Sequence, residues 1–536
     1  MLLSELAGLL GLETAPPDGA KPPPGAPASG PGPGARAAAA DPDIRDVTED
    51  SRRAGPGALF CAFRGARADG RDYVPAAFAA GAAAALVSPP DPGGPGPRLL
   101  APEASVRRHA SEAARQVFGR PDEGILTVGI TGTNGKSTVS YLAEALLAAA
   151  GRRPGVLGTV SFRLPGGGTR EAPNTTPEGP LLWRTVRDMR EDGAGSLVME
   201  VSSHALALGR LGGAALDVAL FTNLTRDHLD FHADMESYFL AKCLLFLGPG
   251  GSLAAGPGPG AARRAVVNAD DPWGRRLLGA PGLRAVGFGF RAEGAEVAGE
   301  VTGSSRRGVS LRVSAPGWSG EIRSRLLGRF NAENLLAAAA LARALGIPGD
   351  LAASVLSEAP GAPGRLSRTG SDDRFLALVD YAHAPGALEA AISAARDLGP
   401  ARLIALFGCG GDRDRGKRPL MGKAAAGADV AVLTSDNPRT EDPLAIIAEA
   451  EAGLAGAGMR RAGPGGAAGV AAAGTYLVEP DRRVAIRLAV DLMREGDILL
   501  VAGKGHEDYQ IVGREKRHFD DSEETLLALR AAGKSE

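Results

Sequence analysis

An α/β protein of three domains is the architecture the sequence predicts: a small N-terminal α/β domain over 1–122, a central P-loop-like domain with a mostly parallel sheet over 123–360, and a C-terminal Rossmann-like domain over 361–536. Three observations point to it. The 536 residues exceed what one core holds. Short apolar runs alternate with helical stretches in the middle and last parts, as in parallel strands covered by helices. A glycine turn between a buried strand and a helix stands at 129–138.

The first residues, MLLSELAGLLGLETA, lack a basic segment and carry Glu5 in the apolar run, so they read as a short amphipathic helix and not a signal peptide. Residues 16–40 are low in complexity and read as a flexible insert. From Asp43 to Val87 a small unit ends in AAFAAGAAAALV, a helix followed by a strand. ILTVGIT reads as a buried strand and KSTVSYLAEALLAAAG as the helix after it; SLVMEV, DVALFTNL and AVVN continue the sheet. The stretch 248–264 is a long loop, 286–327 an antiparallel appendage to the central domain, and FNAENLLAAAALARALG its closing helix. FLALVDYAH, RLIALFGCG, DVAVLTSD and DILLVAGKG are the strands of the last domain.

A formal net charge of -2 disfavours a bulk nucleic-acid binder. The three cysteines, Cys61, Cys243 and Cys409, form no C-x-x-C pair, which disfavours a disulfide scaffold or zinc ribbon and fits a reducing cytoplasm. No apolar run is long enough to cross a bilayer.

The turn reads GITGTNGKST. Gly132 and Gly135 let backbone N–H groups approach phosphate, Lys136 supplies a positive charge, and Ser137 or Thr138 a hydroxyl for Mg²⁺. Ile130 stands where the G-x-x-x-x-G-K-[ST] rule wants glycine, which weakens a generic GTPase or kinase reading. Glu200 and His228 fall at or just beyond successive strand ends, where open α/β sheets bind ligands. Taken singly, such a Glu is more often a cap or salt-bridge partner and such a His a satisfied surface or core residue; together at neighbouring strand ends they point to a metal beside phosphate.

These segments resemble the Mur ligase family: TGTNGKS, NTTPE, MEVSSH, TNLTRDHLD, the lysine of AKCLLF, GRFNAEN, PGRLSR, DYAHAPGALE, GCGGDRDRGKRPLMG, DNPRTEDP and AGKGHEDYQ follow in family order, and DSRRAGPGALFCAFRGARADGRDYV is similar to its uridine-nucleotide domain. The resemblance implies an ATP-dependent amide ligase of peptidoglycan precursor synthesis, adding meso-diaminopimelate to UDP-N-acetylmuramoyl-L-alanyl-D-glutamate through an acyl phosphate. It implies ATP on Gly132, Thr133, Asn134, Gly135, Lys136, Ser137 and Thr138, with Asn331, Arg365 and His383 closing that site. Mg²⁺ would be held by Ser137, Glu200, His228 and Lys242, the last as a CO₂-derived carbamate. Without the resemblance, Lys242 reads as a solvated lysine on an amphipathic helix. Ser51 would bind the uridine nucleotide, and Asn174, Thr175, Thr176, Ser202 and Arg210 the muramoyl-dipeptide. Lys136, Glu200, His228 and Lys242 would form the catalytic set, with His204 or His383 as candidate general base.

The added amino acid turns on Asp436-Asn437-Pro438-Arg439, a pattern like that of diaminopimelate-adding members. Arg439 suits a bidentate clamp on the distal carboxylate, which lysine lacks. Read without the resemblance, the same four residues are a turn after a strand. Arg413, Gly503 and Glu507 complete that site by resemblance, Glu507 facing the substrate ammonium. Leu208, where relatives often have a polar residue, and Glu49, where an apolar one is common, depart from the pattern. A cytoplasmic monomer with small-molecule substrates, no nucleic acid and no membrane insertion is expected. The alternatives are a lysine-adding sister, the dipeptide-adding enzyme, a folylpolyglutamate synthase, a P-loop ATPase coupled to motion, and a catalytically silent binder of UDP-muramoyl peptides.

Overall fold

The computed structural model describes residues 1–18, 41–65, 68–291, 294–370, 372–462 and 472–535. Most of the low-complexity insert, 19–40, lies outside them. The chain forms two compact units, one of residues 1–296 with 340–348, the other of 297–339 with 349–536.

The first unit opens with helix Leu3–Leu10, which buries Leu3, Leu6, Ala7 and Leu10, the i, i+3, i+4, i+7 face of an amphipathic helix. A five-stranded sheet follows in the order Glu13–Ala15, Arg98–Leu100, Ala84–Val87, Ala58–Cys61, Asp46–Thr48, antiparallel in its first pair and parallel in the rest. The larger sheet runs Ala285–Gly289, Arg264–Asn268, Val218–Phe221, Leu126–Thr131, Ser196–Glu200, Pro154–Leu157 as parallel neighbours, with a short antiparallel edge at Phe162–Arg163 and Thr169–Arg170. Its central strands Leu126–Thr131, Ser196–Glu200 and Val218–Phe221 are buried almost completely, as in a parallel sheet covered by helices. The register sets Glu200 beside Ile130 and Phe221 beside Thr131, so three strands end together around the glycine turn.

The second unit holds an antiparallel meander, Val297–Ser305, Gly308–Ala315 and Trp318–Ser324, with a bulge between Val301 and Gly303. Its seven-stranded sheet runs Ser367–Thr369, Leu376–Asp380, Ile498–Ala502, Leu403–Cys409, Val430–Ser435, Thr475–Val478, Arg460–Arg461, parallel beyond the first pair. A hairpin, Tyr509–Val512 with Glu515–His518, precedes the last helix, Asp521–Ala531. Beside this sheet Arg482 is completely buried. It meets both carboxylate oxygens of equally buried Asp521 at 2.7 and 2.6 Å and donates to the Ala502 carbonyl at 3.1 Å. Removing one partner of such a pair strands the other charge without water. Asp521→Asn is therefore expected to lower the unfolding free energy of this unit by about 3 kcal/mol, read by denaturant titration; an unchanged midpoint would show that the pair is not needed.

Candidate functional site

The glycine turn is built by backbone contacts. Gly132 has φ 145°, and a Cβ there would lie 1.9 Å from Thr222 Oγ1, so both conformation and space require glycine. The segment after strand Val218–Phe221 clamps the loop: the Asn223 carbonyl accepts from Thr133 N–H at 2.9 Å, Asn223 Oδ1 accepts from Asn134 N–H at 2.9 Å, and the Thr222 hydroxyl donates to the Asn134 carbonyl at 2.6 Å. Gly135, at φ 87°, then starts helix Lys136–Ala149, whose N-terminus is an anion-binding end.

Two lysines meet at one carbonyl. Lys136 Nζ donates to Gly132 O at 3.0 Å and to Thr133 O at 2.9 Å, and Lys242 Nζ, from helix Met235–Leu247, donates to the same Gly132 O at 2.9 Å. Lys242 is 1% exposed. Burial, and then the charge of Lys136, push its amine well below the usual lysine range. Tyr238 adjoins both partners. Its hydroxyl shares a 3.1 Å hydrogen bond with Thr133 Oγ1, and its ring lies 4.7 Å from Lys242 Nζ. Tyr238 lies one helical turn before Lys242 on the same helix, outside the AKCLLF segment that carries the resemblance.

Glu200 is fully buried. It accepts from the Ser137 hydroxyl at 2.9 Å and from the N–H and hydroxyl of Thr159 at 3.0 and 2.9 Å. Of the two hydroxyls considered for a metal, Ser137 thus faces the carboxylate. His228 adopts φ 54°, a left-handed conformation that turns its ring toward His204, 4.9 Å away, and Tyr238, 5.9 Å away. Burial lowers the imidazoles of His204, His228 and His232. Among the described residues no three His, Cys, Asp or Glu side chains converge as a metal-binding group.

The segment Asn174–Glu178 lies beside this strand end. Thr175 accepts from Thr159 Oγ1 at 3.1 Å, and Thr176 Oγ1 donates to the Glu200 carbonyl at 2.9 Å and accepts from Ser202 N–H at 3.0 Å. Arg210 donates to the Thr176 carbonyl at 2.8 Å and pairs with Glu178, which also holds Arg107 of the N-terminal region. Asn174 is exposed, and Ser51 opens the single turn Ser51–Arg53 capped by Asp50. Glu49 is half-buried; burial, with Glu178 nearby, raises its carboxyl. Leu208 caps helix Ser203–Ala207 and lines a cavity of about 250 Å³ with Arg108 and Leu211.

In the second unit the motifs again follow strand ends. Asn437 donates to Glu507 at 2.9 Å, and Arg439, at φ 52°, donates to the Gly411 carbonyl at 2.8 Å. A Cβ on Gly410 would be 3.0 Å from Arg439 Nη1 and 3.6 Å from Arg413 Cγ, so the two arginines flank one glycine. Gly503, at φ 124°, comes as close to Asp436, where a Cβ would lie 3.0 Å from Oδ2. Pro438 continues the turn between Asn437 and Arg439. Arg365 and His383 gather on Tyr381, with His506 stacked on the same ring at 4.7 Å. Asn331 is buried and spends its amide within its own helix region, donating to the Leu327 carbonyl at 2.8 Å. Sequence reading did not single out His506, a lone residue inside AGKGHEDYQ.

Residues 43–116 match the description "Mur ligase family, catalytic domain", 130–342 "Mur ligase middle domain" and 364–505 "Mur ligase, glutamate ligase domain". The chain belongs to the Mur ligase family. Two relatives named UDP-N-acetylmuramoyl-L-alanyl-D-glutamate--2,6-diaminopimelate ligase are similar to it: one of Geobacter metallireducens, 47% identical over 490 residues, covering 91% of this chain and 94% of the relative, and one of Solibacter usitatus, 43% identical over 501 residues, covering 92% and 95%. A solved structure bearing the same enzyme name is 31% identical with a TM-score of 0.61, covering 91% of this chain and 95% of that one. The Mur ligase matches take in the glycine turn, Glu200, His228 and Lys242 in the middle segment, and Arg413 and the Asp436–Arg439 turn in the last.

Gly132→Ala is expected to cut ATP turnover by about 10²-fold or more in a protein that still folds, since the phosphate loop must shift to admit the methyl; wild-type turnover would show the loop to be compliant. His506 is lowered to about 4 by burial, then by Arg365 and His383. In the unfolded chain it titrates near the ordinary histidine value, so below about 6.5 the unfolded state binds the extra proton and stability falls until about pH 4. His506→Gln is expected to flatten that part of the stability–pH curve, measured by denaturant titration from pH 7 to 4; a superimposable slope would refute it.

Proposed function

We propose that this Mur ligase joins meso-diaminopimelate to UDP-N-acetylmuramoyl-L-alanyl-D-glutamate at the expense of ATP, giving the tripeptide nucleotide, ADP and phosphate, in the cytoplasm. The observation that carries the ligase reading is the loop around Gly132, with Lys136, Ser137 and Glu200 at neighbouring strand ends and Lys242 reaching the loop from helix Met235–Leu247. Among the described residues no helix is long and apolar enough to cross a membrane. The three matched segments support a division at about 122 and 360.

In this reading the loop N–H groups and the helix end at Lys136 receive the ATP phosphates, and Lys136 exchanges its two carbonyl partners for phosphate oxygens. The donor set fits a hard divalent cation beside phosphate: one buried carboxylate, Glu200, and one hydroxyl, Ser137, with the remaining positions left to phosphate and water. When bound, Mg²⁺ offsets the charge that grows on the transferred phosphoryl group. Lys242 fits carbamylation, since burial favours the neutral amine that CO₂ requires, and the carbamate would add an anionic oxygen near the loop and His228. Thr175, Thr176, Ser202 and Arg210 line the approach to Glu200 and suit the D-glutamyl end of the muramoyl-dipeptide, with Asn174 beside them, while Ser51 is assigned to the uridine nucleotide. The D-glutamyl carboxylate attacks the γ-phosphate, and the amine of the incoming amino acid then displaces phosphate from the acyl phosphate. His204 and His383 are the candidates to take the amine proton.

The choice of meso-diaminopimelate rests on the Arg439 guanidinium beside Gly410, which suits a second carboxylate, with the Arg413 side chain next to the same glycine, and on Glu507 held by Asn437. The test is phosphate release from ATP with the dipeptide nucleotide and either meso-diaminopimelate or L-lysine. Release and amide formation with meso-diaminopimelate alone, reduced about 10³-fold in kcat/KM by Arg439→Leu, is expected. Equal activity with L-lysine would sink the amino-acid assignment, and no release with either would favour a silent binder.

A further inference from the structure

Lys504 is a buried charge that the reaction above does not use. It follows strand Ile498–Ala502, between Gly503 and Gly505, both at positive φ, and it is 0% exposed. Its Nζ donates to Asn437 Oδ1 at 3.0 Å and to the Tyr509 carbonyl at 2.6 Å, and it lies 3.4 Å from Asp436 Oδ1 and 3.6 Å from Glu507 Oε2. An ammonium out of water is stable only with such partners, so the fold has committed two carboxylates and two oxygens to it.

What Lys504 touches is what holds the amino-acid site. A lysine only donates and an ionised carboxylate only accepts. Asn437, lying between Lys504 and Glu507, must therefore turn its oxygen to the first and its amide nitrogen to the second. The same Asn437 oxygen accepts from Ile511 N–H at 2.9 Å, and the Ile511 carbonyl accepts from Arg439 N–H at 3.0 Å. Gly513 N–H closes the ladder on the Arg439 carbonyl at 2.7 Å, and Gln510 Nε2 donates to the Asp436 carbonyl at 2.6 Å. One buried cation thus fixes the amide of Asn437, the carboxylate of Glu507 and, through the docked hairpin, the left-handed backbone of Arg439. The neighbouring cation, Arg482, is already engaged by Asp521. Asp436 and Glu507 therefore share Lys504 as their buried cation, and Glu507, the less buried of the two, faces the substrate side in the ligase reading.

We propose that Lys504 is the positioning residue for amino-acid selection, holding Glu507 and Arg439 at the separation that matches an ammonium at one end of the substrate and a carboxylate at the other. This rests on the ligase reading above. The test uses the full chain with ATP, the dipeptide nucleotide, and meso-diaminopimelate or L-lysine. In Lys504→Met the KM for meso-diaminopimelate is expected to rise about tenfold or more, the preference over L-lysine to narrow, and the KM values for ATP and the dipeptide nucleotide to stay within about twofold. Lys504→Gln, which keeps an N–H donor toward Asn437, is expected to recover part of the loss. An unchanged KM for meso-diaminopimelate in a folded Lys504→Met protein, or a parallel rise in all three KM values, would overturn the proposal, as would failure of both variants to fold. A wild-type protein inactive with every amino acid would instead bring down the ligase reading itself.

Discussion

Parallel strands end on one edge of their sheet, and the chemistry of this chain depends on that constraint. In the first unit Thr131, Glu200 and Phe221 end side by side, so the glycine turn, the Ser202–Ala205 turn and the Thr222–Thr225 segment meet without any long excursion of the backbone. In the second unit Asp380, Cys409, Ser435 and Ala502 end their strands in the same way, and each is followed by a motif. The covering helices need no special residues for this; they need only apolar faces, and the alanine-rich composition supplies them at little side-chain entropy cost.

The Gly132 carbonyl shows how the first unit handles charge. Two ammonium groups on one acceptor repel each other, and Lys242 has no exposed path to relieve this. The repulsion and desolvation both act in one direction, toward a neutral Lys242 amine. Lys136 donates to two loop carbonyls, partners that phosphate oxygens would replace on the proposed assignment. Lys242 is the member of the pair whose amine suits reaction with an electrophile.

Much of this was legible in the sequence. Gly132, Gly135 and Lys136 announce themselves because a turn between a buried strand and a helix leaves few alternatives, and the apolar runs marked every strand that carries a site residue. The early amphipathic helix and the antiparallel meander were legible for the same reason of periodicity. Tyr238, His506 and Lys504 were not. Each is a single residue whose role comes from what the fold sets beside it, and a buried lysine reads from sequence like any solvated one.

On the proposed assignment the two units solve recognition differently, and the difference follows from what each would bind. Phosphate is compact and highly charged, so backbone N–H groups on a glycine loop serve it, and the identity of most side chains there matters less than the absence of a Cβ at Gly132. An amino acid with charges at both ends must be measured along its length, and only side chains of fixed direction can do that. Those directions are set by buried partners: Asn437 is oriented by Lys504 on one side and Glu507 on the other, and Arg439 is held by the hairpin and by the Gly411 carbonyl. A change in the nucleotide loop therefore acts through backbone space. A change in the second unit acts through the hydrogen bonds that orient Asn437, Glu507 and Arg439, so on that assignment amino-acid preference can shift without disturbing the phosphate chemistry.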